Sequence, residues 1–91
     1  MKDYILAKNV LDYKHIGSLV NIKEVFYSKT GKVICREYDN CIVTNLYKGL
    51  LFRCCILLNN TEYLIYDLDS ESIDLYITFM NILEANDEQQ I

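Results

Sequence analysis

The chain has 91 residues, a formal net charge of −4 at pH 7 and a hydrophobic fraction of 52%. That length fits a single domain spanning residues 1–91, and that hydrophobic fraction is too high for a disordered chain. The negative charge argues against direct nucleic-acid binding and against docking on an anionic membrane, because both surfaces select for basic residues. It suits a protein partner with a basic cleft, although most small acidic proteins are merely soluble.

The sequence has no motif typical of catalysis or of cofactor binding. It contains one histidine and three glycines, and the glycine spacing matches no phosphate-binding loop. The four cysteines lack CxxC spacing, so we expect small buried thiols and no zinc site. The first residues show no signal-peptide pattern, and no apolar stretch is long enough to span a bilayer. We therefore expect a cytoplasmic protein that is not an enzyme and that needs no cofactor or metal.

The first part of the chain predicts a short helix and then a hairpin. Residues 1–16 fit neither a helical nor a strand period cleanly, and a short helix is favoured. Val20 to Tyr27 is a predicted strand, and Glu24 interrupts its apolar alternation in a way that is typical of an edge. Ser28 to Gly31 is a turn whose glycine supplies a positive φ, and Lys32 to Tyr38 returns as the partner strand.

The middle of the chain predicts further strands. Asp39-Asn40 is a turn before a short strand, Cys41 to Leu46, and Tyr47 to Gly49 is a loop. Leu50 to Leu58 is the strongest strand, and it is apolar on one face and mostly apolar on the other. Such a strand is typically central and covered on both sides. After an asparagine turn, Thr61 to Leu68 completes a second hairpin.

The last third of the sequence predicts one amphipathic helix, Ser70 to Ala85. Asp69 or Ser70 is placed to cap it, and acidic residues in the first turn suit the helix dipole. Its apolar residues cover an arc of roughly 220°, and a helix on one sheet needs only about half of that. The surplus indicates contact with a second copy of the chain or with a partner protein.

The predicted fold class is therefore α+β. An antiparallel sheet of three to five strands has the C-terminal helix packed on one face. A single helix covers one face of such a sheet, so the N-terminal segment or another molecule is expected to cover the other.

The candidate contact surface lies around the start of the predicted helix. Its acidic part, called the acidic junction below, consists of Asp67, Asp69, Glu71 and Asp74. These carboxylates either engage a basic cleft or merely stabilise a helix N-terminus. The apolar side of the helix supplies the other candidates. The full set of candidate partner-binding residues is Asp67, Asp69, Glu71, Asp74, Tyr76, Phe79 and Met80.

One stretch of the sequence resembles a family of small phage anti-CRISPR proteins that inhibit Cas9 of type II-A systems. The resemblance covers roughly Leu57 to Phe79. It consists of Asn60-Thr61-Glu62-Tyr63-Leu64-Ile65, an acidic connection, and Glu71-Ser72-Ile73 at the start of the predicted helix. It implies a short N-terminal helix, a three-stranded antiparallel sheet, later helices, and an acidic surface that occupies the site where Cas9 reads the PAM duplex. Asp67, Asp69 and Glu71 match the acidic connection by position.

These observations together favour a non-enzymatic phage or mobile-element inhibitor. It is expected to block a bacterial defence nuclease by protein–protein contact, in the cytoplasm of the host bacterium, through an acidic and Tyr-rich surface. The alternative is a small homodimeric structural or regulatory domain without an inhibitory role. A third possibility is a small-ligand pocket at such an interface.

Overall fold

The structure, a computed structural model, describes residues 3–80. Its strands are β1 (Ile5–Leu6), β2 (Leu19–Tyr27), β3 (Val33–Lys48), β4 (Arg53–Asn59), β5 (Glu62–Asp67) and β6 (Ile73–Phe79). They form one antiparallel sheet in the order β1-β6-β2-β3-β4-β5. The helices of this part of the chain are α1 (Ala7–Val10), which is a single turn, and a 3₁₀ helix (Tyr13–His15). Neither is long and apolar enough to cross a membrane.

The predicted C-terminal helix is wrong, and the α+β fold class is wrong with it. From Ile73 to Phe79 the chain is a strand, and the described fold is mostly sheet. The helix that the family resemblance placed after Glu71-Ser72-Ile73 is absent from this stretch for the same reason. Residues 81–85 of the predicted helix lie outside the described residues.

The local sequence explains why β6 is a strand. Strand alternation puts Leu75 and Ile77 on one face, where both are buried, and Asp74 and Thr78 on the other. β-Branched and aromatic residues dominate the segment, and such residues suit a pleated, half-buried surface. Apolar residues that repeat every two positions fall all around a helical projection. The wide apolar arc of the predicted helix therefore indicates a strand and not surplus helix surface.

β3 is a long strand that bends and is shared between two parts of the sheet. Its first part pairs with β2 and its second part with β4, and a register shift interrupts each pairing. At the first shift Asn40 has a φ of 58°, and its N–H donates to Oδ1 of the buried Asn21 at 2.9 Å. The turn predicted at Asp39-Asn40 is therefore a bulge within one continuous strand.

Two predicted turns are confirmed. Ser28 and Lys32 close the β2–β3 hairpin through a backbone hydrogen bond of 2.9 Å, and Gly31 has a φ of 87°. Asn60 has a φ of 57° in the turn between β4 and β5. Both positions need the left-handed region, which glycine and asparagine adopt at low cost.

The buried core lies on one face of the sheet, called the inner face below. The N-terminal segment, one of the two covers expected for a face of the sheet, contributes Ala7 and Leu11 to this core, whereas the C-terminal helix expected on the other face is not formed by residues 70–80. Within residues 3–80, no segment packs on the opposite, outer face of β3, β4 and β5, so these residues cover β4 on one side and not on two. The buried inner-face residues are Val20, Ile22, Cys41, Val43, Cys55, Leu57, Tyr66, Leu75 and Ile77.

Glu24 does not mark an edge strand, because β2 lies between β6 and β3. It lies at an inner-face position, where its carboxylate accepts a hydrogen bond from the hydroxyl of Tyr66 on β5. Burial and this hydrogen bond raise the pKa of Tyr66. The residue that interrupts the apolar pattern of β2 therefore links β2 to β5 across the inner face.

The central place of β6 predicts a large cost for truncating its buried side chain. Ile77→Ala removes a side chain with 0% exposure and should lower the free energy of unfolding by about 2–5 kcal/mol. Denaturant unfolding measures this change. Val33→Ala, at a position 57% exposed on β3, is the matched control and should change it by less than about 0.5 kcal/mol. Equal effects of the two substitutions would contradict the placement of β6.

Candidate protein-contact surface

One arginine engages the acidic junction. The Asp69 carboxylate accepts hydrogen bonds from Arg53 Nη2 at 2.7 Å, from Arg53 Nε at 3.2 Å and from the Arg53 backbone N–H at 2.9 Å. Arg53 Nη1 donates to the carbonyl oxygen of Lys8 at 3.0 Å. These hydrogen bonds lower the pKa of Asp69 and raise the pKa of Arg53. Asp69 therefore holds the β5–β6 connection to Arg53 on β4, and Arg53 in turn contacts α1. Asp69 caps no helix.

The other carboxylates of the acidic junction lie on different parts of the fold. Asp67 accepts a hydrogen bond from the Asp69 backbone N–H at 2.9 Å, which shapes the turn after β5. Asp74 lies on the outer face of β6 and accepts a hydrogen bond from the Tyr27 hydroxyl at 3.0 Å, which raises the pKa of Tyr27. Glu71 is exposed in the connection. Two of the four carboxylates thus shape the junction itself, and a third is engaged by a tyrosine.

The apolar candidates of the predicted helix do not form one surface. Tyr76 and Phe79 lie on opposite faces of β6, because they are three residues apart on a strand. Tyr76 faces the outer side, beside Tyr27. Phe79 packs on the core, and its ring centroid lies 4.6 Å from that of His15. Met80 is half-buried and donates its N–H to the Leu19 carbonyl at 3.0 Å.

The strongest apolar exposure is at the end of the β3–β4 hairpin, in a segment called the loop tip below (Gly49–Phe52). Leu50 and Leu51 have relative exposures of 105% and 95%. Isolated apolar side chains on a surface are ordinary, whereas neighbouring, fully exposed leucines beside an exposed aromatic ring form a patch. The loop tip therefore exposes two complete leucine side chains, which the acidic junction does not.

The loop tip has a defined shape. Gly49 donates its N–H to the Phe52 carbonyl at 3.0 Å, and the rings of Tyr47 and Phe52 lie 5.0 Å apart between centroids. A Cβ on Gly49 would lie 2.5 Å from Cε2 of Tyr47, so the ring position requires glycine. The two aromatic rings and the glycine thus pack together at the base of the loop tip.

The base of the loop tip is tied to the N-terminal segment. The Lys48 N–H donates to the Tyr13 hydroxyl at 3.2 Å, and Lys48 Nζ lies 3.6 Å from Asp12 Oδ1. The hydrogen bond from the Tyr13 N–H and the charge of Lys48 lower the pKa of Asp12. The positive charge beside the loop tip is therefore matched by a carboxylate of the same chain.

The sequence alone missed the loop tip because Leu50 and Phe52 fit the alternation of the following strand. The predicted strand started at Leu50, whereas β4 starts at Arg53. The signal that was present is Gly49 between Tyr47 and the leucines, since glycine commonly marks a change of chain direction.

The cysteines differ from one another more than was predicted. Cys41 and Cys55 are buried, Cys54 is half-buried and Cys35 is exposed, so the prediction of four buried thiols is wrong for the last two. Burial raises the pKa of Cys55 to about 12 and also raises the pKa of Cys41. Within residues 3–80, no group of three or more His, Cys, Asp or Glu side chains is placed to hold a metal ion.

Comparison with protein-family models, with curated proteins and with solved structures finds no match to this chain.

The ion pair of Asp69 predicts a specific pH dependence. A carboxyl whose pKa is lowered in the folded state contributes stability above its unfolded pKa of about 3.8, and this contribution is lost as the pH falls through the folded value. Asp69→Asn should therefore lower the midpoint of thermal unfolding at pH 7, and the difference from the wild type should shrink below pH 3.8. A constant difference across that range would contradict a role for the charge. Glu71→Gln is the control, and it should leave the midpoint unchanged.

Thiol reactivity should follow exposure. In the native protein, the exposed Cys35 should react rapidly with a thiol reagent. Cys41 and Cys55 should react only on unfolding, because the reactive species is an accessible thiolate. Peptide mass mapping after timed quenching identifies the labelled residue. Labelling of Cys55 at the rate of Cys35 would contradict the described core.

Proposed function

We propose that this protein acts by binding another protein, and that the loop tip is its main anchor. The observation that supports this proposal most directly is the full exposure of Leu50 and Leu51 on a shaped hairpin end. Exposed apolar side chains contribute affinity when they enter a pocket that excludes water. The matching partner surface is an apolar pocket that accepts two leucine side chains.

The local charge favours a protein partner over a membrane. The two cations that flank the loop tip, Lys48 and Arg53, are paired with Asp12 and Asp69, and the net charge of the chain is −4. Anionic lipid surfaces attract clusters of unpaired basic residues, and membrane binding through a short loop needs that attraction in addition to apolar contact. An apolar pocket on a protein makes no such demand.

The inhibitor of a bacterial defence nuclease is the narrower form of this proposal. It is supported by the net charge of −4, by the resemblance to anti-CRISPR proteins and by the exposed Glu71. In this form the loop tip supplies the apolar anchor and the acidic surface favours approach to a basic cleft. Such binding weakens as salt rises, because exposed charges are screened.

Site-specific crosslinking tests the proposal. A photoreactive phenylalanine derivative in place of Leu51 should give one crosslinked protein product in a lysate of cells that produce the protein. The same derivative in place of Val33, which is exposed at the far end of β3, should give none of that product. The purified partner should bind the double variant Leu50→Ser, Leu51→Ser at least tenfold more weakly than the wild type. The loss of two apolar anchors from a pocket accounts for that factor.

The controls separate the possible outcomes. Val33→Ser should bind with wild-type affinity, and the double loop-tip variant should keep the wild-type unfolding midpoint because its leucines make no buried contacts. Equal binding by wild type and double variant would refute the loop tip as anchor. Sedimentation with anionic vesicles that depends on Leu50 and Leu51 would replace the protein partner with a membrane. Inhibition of a captured nuclease, lost with the leucines, would support the narrower proposal.

A further inference from the structure

The sheet has one long unpaired edge, which is β5. Within residues 3–80, β4 is the only strand that pairs with β5. In the β4–β5 hairpin, Asn59 and Glu62 flank a two-residue turn and form a hydrogen-bonded pair, and the Leu68 N–H donates to the Arg53 carbonyl at 2.8 Å. Hydrogen-bonded pairs alternate along the hairpin, so the backbone groups of Tyr63 and Ile65 point away from β4.

The side chains on this edge do not protect it from pairing. Edge strands are usually blunted by shortness, by lysine or by proline. The other edge of the sheet, β1, is short, with two residues. β5 has six residues and contains neither lysine nor proline, and its charged residues, Glu62 and Asp67, stand only at its two ends.

The outer face of β5 is also apolar and exposed. Tyr63 and Ile65 are 62% and 70% exposed. Cross-strand neighbours extend this patch across β4 and β3, since Tyr63 lies opposite Leu58 and Leu58 lies opposite Ile42. A strand added to the β5 edge would place its own outer side chains directly beside this patch.

We propose that the occupant of this edge is a second copy of the same chain, paired antiparallel through β5 about a two-fold axis at Leu64. This inference is independent of the loop tip and of the proposed function. The axis is perpendicular to the sheet, so residues that face each other lie on the same face.

The register centred on Leu64 makes the edge complementary to itself. Tyr63 of each copy lies opposite Ile65 of the other, and the outward backbone groups of these residues form four hydrogen bonds. Aromatic and β-branched residues make favourable cross-strand pairs. Glu62 faces Tyr66, and Asp67 faces Thr61, so no two like charges are directly opposed. A register centred on Ile65 pairs Leu64 with Tyr66 but places Asp67 opposite Tyr63, and it loses both exposed pairs of Tyr63 with Ile65.

The size of this interface predicts a reversible dimer. Pairing of a six-residue edge buries less than the roughly 800 Å² per partner that is typical of stable complexes. We therefore expect a dimer dissociation constant in the micromolar range or weaker. Sedimentation velocity at protein concentrations from about 1 μM to 1 mM detects such a dimer.

Amide hydrogen exchange at low and high protein concentration tests the dimer and its edge together. Raising the concentration should slow exchange of the Tyr63 and Ile65 amides, which are open in the single copy. It should leave Leu64 and Tyr66 unchanged, because their amides already face β4. A monomer throughout the concentration range, or a dimer with no added protection at Tyr63 and Ile65, would overturn the proposal.

Substitutions on the edge test the same surface by a second route. Ile65→Lys places a charge opposite Tyr63 of the second copy and should weaken the dimer at least tenfold. Val33→Lys adds the same charge to an exposed outer-face position on another part of the sheet and should leave dissociation unchanged. Both variants should keep the wild-type unfolding midpoint at concentrations where the protein is a monomer. A lower midpoint for Ile65→Lys alone would show that this variant misfolds. Amide exchange of the wild type then decides whether the β5 edge forms the dimer.

Disulfide trapping tests the register. Residues at the two-fold axis form a non-hydrogen-bonded pair about 4.5 Å apart between Cα atoms, which a disulfide spans. In a Cys35→Ser background, Leu64→Cys should give a covalent dimer on mild oxidation. Ile65→Cys should not, because its two copies are diagonal neighbours about 7–8 Å apart. The reverse result would refute the register centred on Leu64.

Discussion

The pairing of β6 with β2 is the interaction on which the rest of this fold depends. It joins the end of the described chain to its first long strand, and it continues over seven residue pairs from Val20–Phe79 to Phe26–Ile73. Within residues 3–80, β1 pairs with β6 alone, so the same strand holds the N-terminal segment that covers the inner face. Because these contacts are far apart in sequence, they form only after the loop-closure entropy has been overcome. Arg53 on β4 also contacts the N-terminal segment. It pairs with Asp69 and donates a hydrogen bond to the Lys8 carbonyl.

A single sheet with one covered face leaves apolar surface exposed in a chain of this size. A domain of about 90 residues buries a limited share of its surface, and here the core is concentrated on the inner face. Among the described residues, the N-terminal segment contributes Ala7 and Leu11 to the cover of that face. Exposed apolar residues remain in the N-terminal segment, at the hairpin end of β2 and β3, at the loop tip, on the outer face and along the β5 edge. The two proposed contacts use this remaining surface, so they share one origin in the limited cover of the sheet.

The sequence predicts the local features of this fold and misses the non-local ones. Gly31 and Asn60 mark the two turns correctly, because a positive φ leaves a clear trace in residue choice. Glu24 and Asp39-Asn40 misled the interpretation, because an inward carboxylate and a bulge look like an edge and a turn when strand partners are unknown. Ile73 to Phe79 was given a helical period because its polar residues, Asp74 and Thr78, satisfy spacings of four as well as of two.

The candidate site was less predictable than the fold. Asp69 is acidic and exposed in sequence terms, yet its charge is used by Arg53, which lies sixteen residues earlier and meets it only through the β4–β5 hairpin. The loop tip shows the reverse case. The sequence pattern places Leu50 in a buried strand, whereas Leu50 is fully exposed in the fold. Charge and hydrophobicity alone do not separate residues that build a protein from residues that contact a partner. The separation comes from the partners that the fold supplies, and these depend on pairings far apart in the chain.

The two proposed surfaces have a geometric relation that follows from strand direction. The loop tip precedes β4 at Arg53, and it therefore lies near the end of β5 that contains Asp67. Antiparallel pairing of two β5 strands puts these ends on opposite sides of the two-fold axis. A dimer of this kind presents its two loop tips at opposite ends of the joined edge, directed away from each other. Because one rigid partner molecule is then poorly placed to reach both tips, the dimer is better suited to joining two partner molecules than to binding one of them twice.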